Sequence, residues 1–346
     1  MTDYRTVRIE TEDQLEAILS EPTPELAADL KKLNGDIMIL GVGGKIGPSL
    51  GQMASHAMKE AGLKKKVYGV DYVFSKENRQ RLEKAGVKLI ECNLLDRDAV
   101  AKLPDIENIV FMAGKKFGST GAEHDTWAMN VFMPGIVSDR FRKSRFSVFS
   151  SGNIYGLSPI GTGGGTEATP INPMGDYAQS VVGRERMFEY ASHHYGTKVL
   201  QFRLCYAIDL RYGVLLDVAE KVNAGKPVDV TMGYYNCIWQ GDVNAQALRS
   251  LLLAEAPPRI LNITGPETVS VRYVATRFGA LLGKKPIIEG QEAPNAILAN
   301  AASANAAFGY PKVALEQMMQ WIAHWVKIGG PTLNKPTHYE TRDGKF

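Results

Sequence analysis

The sequence offers little to a membrane, a nucleic acid or a metal. No apolar run approaches the roughly 20 residues that span a bilayer, and the start, MTDYRTVRIETEDQ, is charged from its third residue and does not read as a signal peptide. Lys+Arg 40 against Asp+Glu 37 leaves a formal charge of +3, too balanced to draw the chain to nucleic acid or anionic lipid. Only three cysteines occur, Cys92, Cys205 and Cys237, too far apart to suggest a disulfide set or a ligand cluster. The six histidines form no close group either. A cytoplasmic protein without a metal centre is the expectation.

What is abundant is glycine, 34 residues in 346, with 45% hydrophobic content. Short apolar runs alternate with helix-length stretches: Asp36–Leu40, Lys66–Val70, Val87–Glu91, Asn108–Met112, Phe146–Ser150 and Lys198–Arg203, with a helix from about Pro48 to Ala61. That alternation predicts βαβ units and an α/β fold, a doubly wound parallel sheet. A helical arm is expected over 1–34 and a tail over 331–346. In the arm, Thr11 and Thr23-Pro24 start two helices, and Leu26, Leu30 and Leu33 share one face. Gly161–Thr166 reads as a flexible loop near the active-site mouth, Asn295–Ala307 as helical packing, and THYETRDGKF as a surface tail.

ILGVGGKIG sets Gly41, Gly44 and Gly47 between the first strand and the first long helix. The first glycine permits a tight turn, the second lets backbone approach a pyrophosphate, and the third allows close helix–strand packing. The helix N-terminus then faces phosphate oxygens with unpaired N–H groups, with Lys45 and Ile46 inside the turn. Asp71 ends the second strand, where a carboxylate accepts from the adenosine ribose hydroxyls and repels a 2′-phosphate, favouring NAD over NADP. Lys76 and Arg79 nearby keep NADP as the lesser alternative. Asn93 and Leu94 after the third strand are candidate adenine contacts.

From Gly41 to about Trp325 the chain resembles the extended short-chain dehydrogenases/reductases, the NAD-dependent epimerase/dehydratase family. GVGGKIG is similar to its GxxGxxG, and Phe111–Gly114 (FMAG) to its post-strand alanine segment, adding Ala113, Gly114 and Lys115 to the cofactor set. Asn130 resembles the family asparagine that shapes the site through its backbone. FSSGNIYG places Ser150 beside the cofactor and the catalytic Ser/Thr on Ser151. Asp176-Tyr177, with Ser180 and Glu185, resembles the catalytic helix, and WQGDVNAQAL the C-terminal motif with its acid at Asp242. The resemblance implies a Rossmann-type NAD-binding domain over 35–205 and a smaller C-terminal substrate domain over 206–330 partly interleaved with it. It also implies NAD, a carbohydrate-like substrate, hydride transfer with Tyr177 as acid/base and Ser151 as the orienting group, and a homodimer built through a helical bundle.

One departure is severe. Four residues after Tyr177, where the family has a lysine that acidifies the tyrosine and holds the nicotinamide ribose, stands Val181. A tyrosine of pKa about 10 is phenolate in roughly one molecule per 1,000 at pH 7; losing a three-unit depression costs about 4 kcal/mol, near a thousandfold in rate. Lys115 and Lys116, on the loop after the fourth strand, are the candidate stand-in cations, with a solvated pair as the alternative. Arg184 and Arg186 read as surface or dimer residues, and His193 and His194 as helix-end residues. His124 and Trp127 are weaker candidates for substrate approach.

Gly152-Asn153 replaces the Asp-Glu pair of the family dehydratases, arguing against elimination of water. Tyr206, Asp209 and Leu210 stand where nucleotide-sugar enzymes carry an asparagine and Gly-Pro, arguing for a smaller sugar, sugar acid or polyol. Arg211 and Arg272 are possible partners for a carboxylate or phosphate. The expected activity is NAD-dependent oxidation or redox epimerisation; the alternative is an NAD-binding regulatory or scaffold protein whose chemistry has decayed.

Overall fold

The computed structural model describes residues 3–116 and 118–345. Its centre is a seven-stranded parallel sheet: β1 (Ile37–Leu40), β2 (Val67–Asp71), β3 (Lys88–Glu91), β4 (Asn108–Phe111), β5 (Arg145–Ser151), β6 (Lys198–Leu204) and β7 (Arg259–Ile263). The spatial order is β3-β2-β1-β4-β5-β6-β7. β1 pairs with β2 on one side (Leu40 opposite Val70) and with β4 on the other (Leu40 opposite Phe111). The chain reverses its winding at β1, opening a crevice at the carboxyl edge there, where doubly wound sheets bind ligands. β1, IMIL, is buried on both faces, as expected for a strand covered by helices on each side. Six of the strands match the predicted runs to within about two residues; β7, RILNI, is an addition to them.

In the arm, α1 (Glu12–Leu19) begins with a capping box between Thr11 and Gln14, and α2 (Pro24–Lys32) begins at Thr23. Leu26, Leu30 and Leu33 are almost completely buried against α3 (Gly47–Glu60) and the helix Gln240–Arg249 of the same chain. A second apolar core joins α1 to the helices Val214–Asn223, Val271–Leu282 and Leu315–Lys327.

Three expectations are corrected. Residues 331–345 do not form a surface tail: Thr337 and Tyr339 are buried, Thr337 is hydrogen-bonded to Asp217 (2.8 and 2.6 Å), and Gly344 lies against Gly175. The polar composition of THYETRDGKF concealed one aromatic anchor. The run from Asn295 is not helical throughout; Asn295–Ala296 is a strand paired with Ser158–Pro159, and a helix forms only over Ala302–Phe308. The Gly161–Thr166 segment is not a loose loop at the crevice. Gly165 exchanges hydrogen bonds with Leu298 and Asn300, and its Cα packs against the Tyr155 ring. Gly164 serves close backbone approach, for a Cβ there would meet Ala299 N at 2.7 Å. Asp242 likewise is structural, its buried carboxylate accepting from the Lys312 and Val313 amides (2.9 and 3.2 Å).

Candidate active site

The glycine turn has the geometry a dinucleotide needs. Gly41 is in the left-handed region (φ +92°), and a Cβ there would meet the Ala113 backbone at 2.6 Å. At Gly47 a Cβ would strike the Val42 carbonyl at 2.2 Å, so this glycine lets α3 close on β1. Gly44 is different: a Cβ would meet nothing nearer than the Gly41 carbonyl at 3.4 Å, so it is the turn's open face. α3 is preceded by Ile46, which offers no side-chain cap, leaving the helix's first amides for an external acceptor. Asp71 accepts from the Gly43 and Tyr72 amides (both 2.8 Å), and burial raises its pKa against those bonds. It therefore clamps the glycine turn from the end of β2. Asn93 is exposed beyond β3 and accepts from Leu95 (3.1 Å), while Leu94 is buried in the core. These residues fit NAD.

A cavity of about 220 Å³ lies at the other end of the turn, bounded by Lys45, Ile46, Gly114, Ser151, Tyr177 and Tyr206 among others. Tyr177 stands in the first turn of the long helix Gly175–Tyr195, and its hydroxyl is hydrogen-bonded to Ser151 at the end of β5. Burial raises the Tyr177 pKa; the Arg184 charge and the Ser151 bond oppose that rise.

Arg184 overturns the expectation of a surface residue. It is buried two turns along the same helix, and its side chain reaches back towards the tyrosine. Nη1 donates to the Phe149 carbonyl (2.8 Å) and Nη2 to Asn130 Oδ1 (2.6 Å), while the guanidinium lies 5.7 Å from the Phe111 ring centre. Nε is buried with no protein partner among the described residues, an orphan donor in the cavity wall. Burial pushes the guanidinium down to about 10, so it remains charged at neutral pH. Gly114 makes room for it: a Cβ there would sit 2.0 Å from Nη2. Helical spacing alone placed Arg184 far from Tyr177; the signals were the length of the side chain and a glycine opposite. Val181 is buried in an apolar cluster with Ile154, Tyr155, Cys205 and Ala299, against which Tyr177 also packs.

Asn130 lies in a π-helical turn, Ala128–Phe132, and acts here through its side chain. Oδ1 accepts from Lys115 N (2.9 Å) as well as from Arg184, and Nδ2 donates to the Lys115 carbonyl (2.8 Å) and Ser180 Oγ (3.0 Å). It thus ties the loop after β4 to the tyrosine helix. Ser150 is turned to Glu185 (2.5 Å), which forms a buried fork with Arg203 (2.7 and 2.9 Å); this lattice fixes the helix on β5 and β6.

The two loop lysines part company. Lys115 Nζ is 3.3 Å from Asp125, away from the tyrosine hydroxyl's own partners. Lys116 turns inward, 5.7 Å from the Tyr177 ring centre and 6.0 Å from that of Tyr206. Lys45, in the glycine turn, places Nζ 3.4 Å above the Tyr212 ring. Tyr206 adopts φ +38°, an uncommon conformation for a bulky residue and a mark of a constrained site. A Cβ at Gly152 would overlap the Cys205 sulfur (1.9 Å), so the position of the family's acid is filled here by the thiol just beyond β6. The expected anion partners do not reach the cavity: Arg211 is paired with Asp209, Glu16 and Glu12, and Arg272 with Glu292 on the surface. His124 is exposed beside Asp125, and Trp127 donates to Asp176 (2.8 Å) outside the cavity wall. Arg186 pairs with Glu189 on the surface. No cluster of metal-ligating side chains occurs, and no helix is long and apolar enough to cross a membrane, among the described residues.

Fold and crevice together define a Rossmann-type nucleotide-dependent enzyme. The sequence profile of the NAD dependent epimerase/dehydratase family matches residues 37–235, more than half of the chain, and the protein belongs to that family. Among solved structures it is similar to MoeE5 in complex with UDP-glucose and NAD (18% identity, 85% of this chain and 99% of that one, TM-score 0.68). It is also similar to the Thermus thermophilus UDP-glucose 4-epimerase in complex with NAD (21%, 84% and 99%, TM-score 0.65). A third is DesIV, the dTDP-glucose 4,6-dehydratase of Streptomyces venezuelae, with NAD bound (17%, 84% and 97%, TM-score 0.70). At such identities the likeness concerns the fold. No curated protein sequence matches the chain.

Proposed function

We propose that this protein is an NAD-dependent oxidoreductase or redox epimerase acting on a secondary alcohol of a sugar, sugar acid or similar polyol. The observation that carries the reading is the Tyr177 hydroxyl, hydrogen-bonded to Ser151 and sharing its cavity with the buried Arg184 cation. Gly41, Gly44, Lys45, Ile46, Gly47 and Asp71 would hold the coenzyme's adenosine and pyrophosphate, and Arg184 Nε would donate to its nicotinamide ribose. Bound NAD supplies a hydride acceptor. Ser151 orients the substrate oxygen, Tyr177 takes the hydroxyl proton as the carbon-bound hydride leaves, and a carbonyl remains. Return of hydride and proton to the opposite face would invert the centre; release of the carbonyl would be net oxidation.

Val181 was the main support for a decayed scaffold. A buried arginine whose charge opposes the rise of the Tyr177 pKa weakens that support, because a cation acts on the phenol from another position. Turnover of NAD with a panel of sugars and sugar acids, followed by NADH absorbance and by stereochemical analysis of the recovered sugar, tests the reading. Activity lost in Tyr177→Phe is expected; NAD binding without any conversion in the wild type would refute it. A homodimer fits the apolar groove of about 690 Å³ that includes Phe132, Met187, Tyr190 and Tyr195 on the outer helices, where Phe132 and Tyr190 are half exposed. Light scattering in solution checks it.

A further inference from the structure

We propose that the C-terminal segment 337–345 is a strap that positions Tyr177, with Arg342 and Gly344 as its positioning residues. The inference rests on the hydride-transfer reading above and adds to it what holds the tyrosine against Ser151. Ser151 ends β5 and is paired with Leu204 of β6, so the sheet itself fixes it. Tyr177 is reached differently. Residues 156–174 lead to it from the Ser151 segment with short pieces of regular structure, and it stands in the first turn of its helix. That helix has no side-chain cap at Met174, and an uncapped opening turn is the part of a helix most prone to fray.

Gly344 closes on that turn. Gly344 and Gly175 both lie in the left-handed region (φ +76° and +74°), and their backbones interlock. A Cβ on Gly175 would strike the Gly344 carbonyl, and one on Gly344 would strike the Met174 carbonyl, so the approach requires glycine at both positions. Two residues earlier, Arg342 Nη1 donates to the Asn295 carbonyl (3.0 Å) and Nη2 to Asn295 Oδ1. Asn295 in turn pairs with Pro159, on the stretch of chain that leaves Ser151. The strap thus meets the turn before Tyr177 directly and the chain after Ser151 through Asn295, the two segments that the Tyr177–Ser151 hydrogen bond joins.

The strap's near end is anchored on the substrate side. Thr337 is held by Asp217, Tyr339 is buried beside Tyr235, and Leu333 N donates to the Arg211 carbonyl (2.9 Å), next to Tyr212 of the cavity wall. These anchors precede Arg342, so the last residues can be released without uprooting the segment. A misplacement of about 1 Å at a reacting group costs on the order of a hundredfold in rate. Interlocked backbone at the start of the tyrosine helix therefore bears on turnover well beyond its share of the contacts.

The test compares the wild type with Gly344→Val and with a chain ended after Thr341, both of which keep Thr337 and Tyr339. With the sugar or sugar acid that the substrate panel reveals, kcat should fall about ten-fold or more in each, while KM and NAD affinity stay within about three-fold. A second readout needs no substrate. Cys205 lies against Tyr177 and lines the cavity, whereas Cys92 is buried in a separate core, and a thiol reagent with peptide mass mapping follows both. Labelling of Cys205 should quicken about ten-fold or more, and that of Cys92 should not change. A kcat close to wild type in both variants, or a loss carried by KM alone, would overturn the proposal. Equal acceleration at both thiols would overturn it too, since that is general loosening of the fold. If the wild type converts no sugar in the panel, the hydride-transfer reading fails while the thiol rates still decide the strap: Cys205 quickened alone sustains it, and unchanged rates overturn it.

Discussion

Replacing Arg184 by methionine removes the charge beside Tyr177 while keeping an unbranched side chain of similar reach. In the native protein the guanidinium donates at 2.8 Å to Phe149 and at 2.6 Å to Asn130, and its charge opposes the upward push of burial on the tyrosine. An opposite charge within a few ångströms typically moves a pKa by about 1–3 units. Taking about 1–2 units, the phenolate fraction at fixed pH below the tyrosine pKa falls by about 10- to 100-fold, and kcat/KM should fall with it. The sign is definite. Losing the cation raises the Tyr177 pKa further, so the limb of the pH–rate profile that requires the deprotonated phenol moves to higher pH, and the deficit narrows as pH rises. Stability should change less than activity, because two hydrogen bonds to a charged group, each about 1.5–3 kcal/mol, are lost while a buried cation is also removed. The assay is hydride transfer from the acid or sugar that emerges from the substrate panel, measured across pH, with far-ultraviolet circular dichroism as the folding control. An unchanged kcat/KM and an unshifted profile would refute the role of Arg184.

Val181→Lys in the wild-type background should lower the urea midpoint without raising activity, since it buries a second cation among Ile154, Tyr155 and Cys205; in Arg184→Met it should restore part of the lost rate, and no recovery in kinetic assays would count against a shared role. Asp71→Ala should weaken NAD by about 10- to 100-fold, the loss of one charged hydrogen-bonding group, and relax discrimination against NADP; equal NAD affinity by calorimetry would contradict the clamp on Gly43. Tyr339→Ala should cost about 3 kcal/mol or more in urea unfolding, as truncation of a fully buried aromatic does. Because Lys45 drops from 10.5 to about 7 in the folded chain, the unfolded chain binds more protons between those values, and wild-type stability should rise with pH through that window. Lys45→Met should flatten part of that rise, seen by comparing urea midpoints near pH 7 and near pH 9.

The alternation of short apolar runs with helix-length segments was enough, before any coordinates, for the parallel sheet, because strand and helix periods are local properties of the chain. Gly41, Gly44 and Gly47 were legible for a similar reason: turn and helix start are contiguous, and each glycine has a separate steric duty. The arm could be read from Thr11, Thr23 and the spacing of its leucines. The pairing of Tyr177 with Ser151 required the resemblance to a family, since 25 intervening residues separate them.

What belonged to tertiary structure was the charge around that tyrosine. Val181 looked like a missing cation because sequence reports only the position that helical spacing brings alongside. The actual guanidinium enters from Arg184, through space left by Gly114 and under the hold of Asn130, three segments that meet only when the sheet is assembled. The inward turn of Lys116 and the outward pairing of Lys115 were equally invisible, for adjacent residues on a loop differ only in what the fold sets opposite each. Local periodicity wrote the scaffold into the sequence; electrostatics acts through space, so the partners of each charge were decided by the packing.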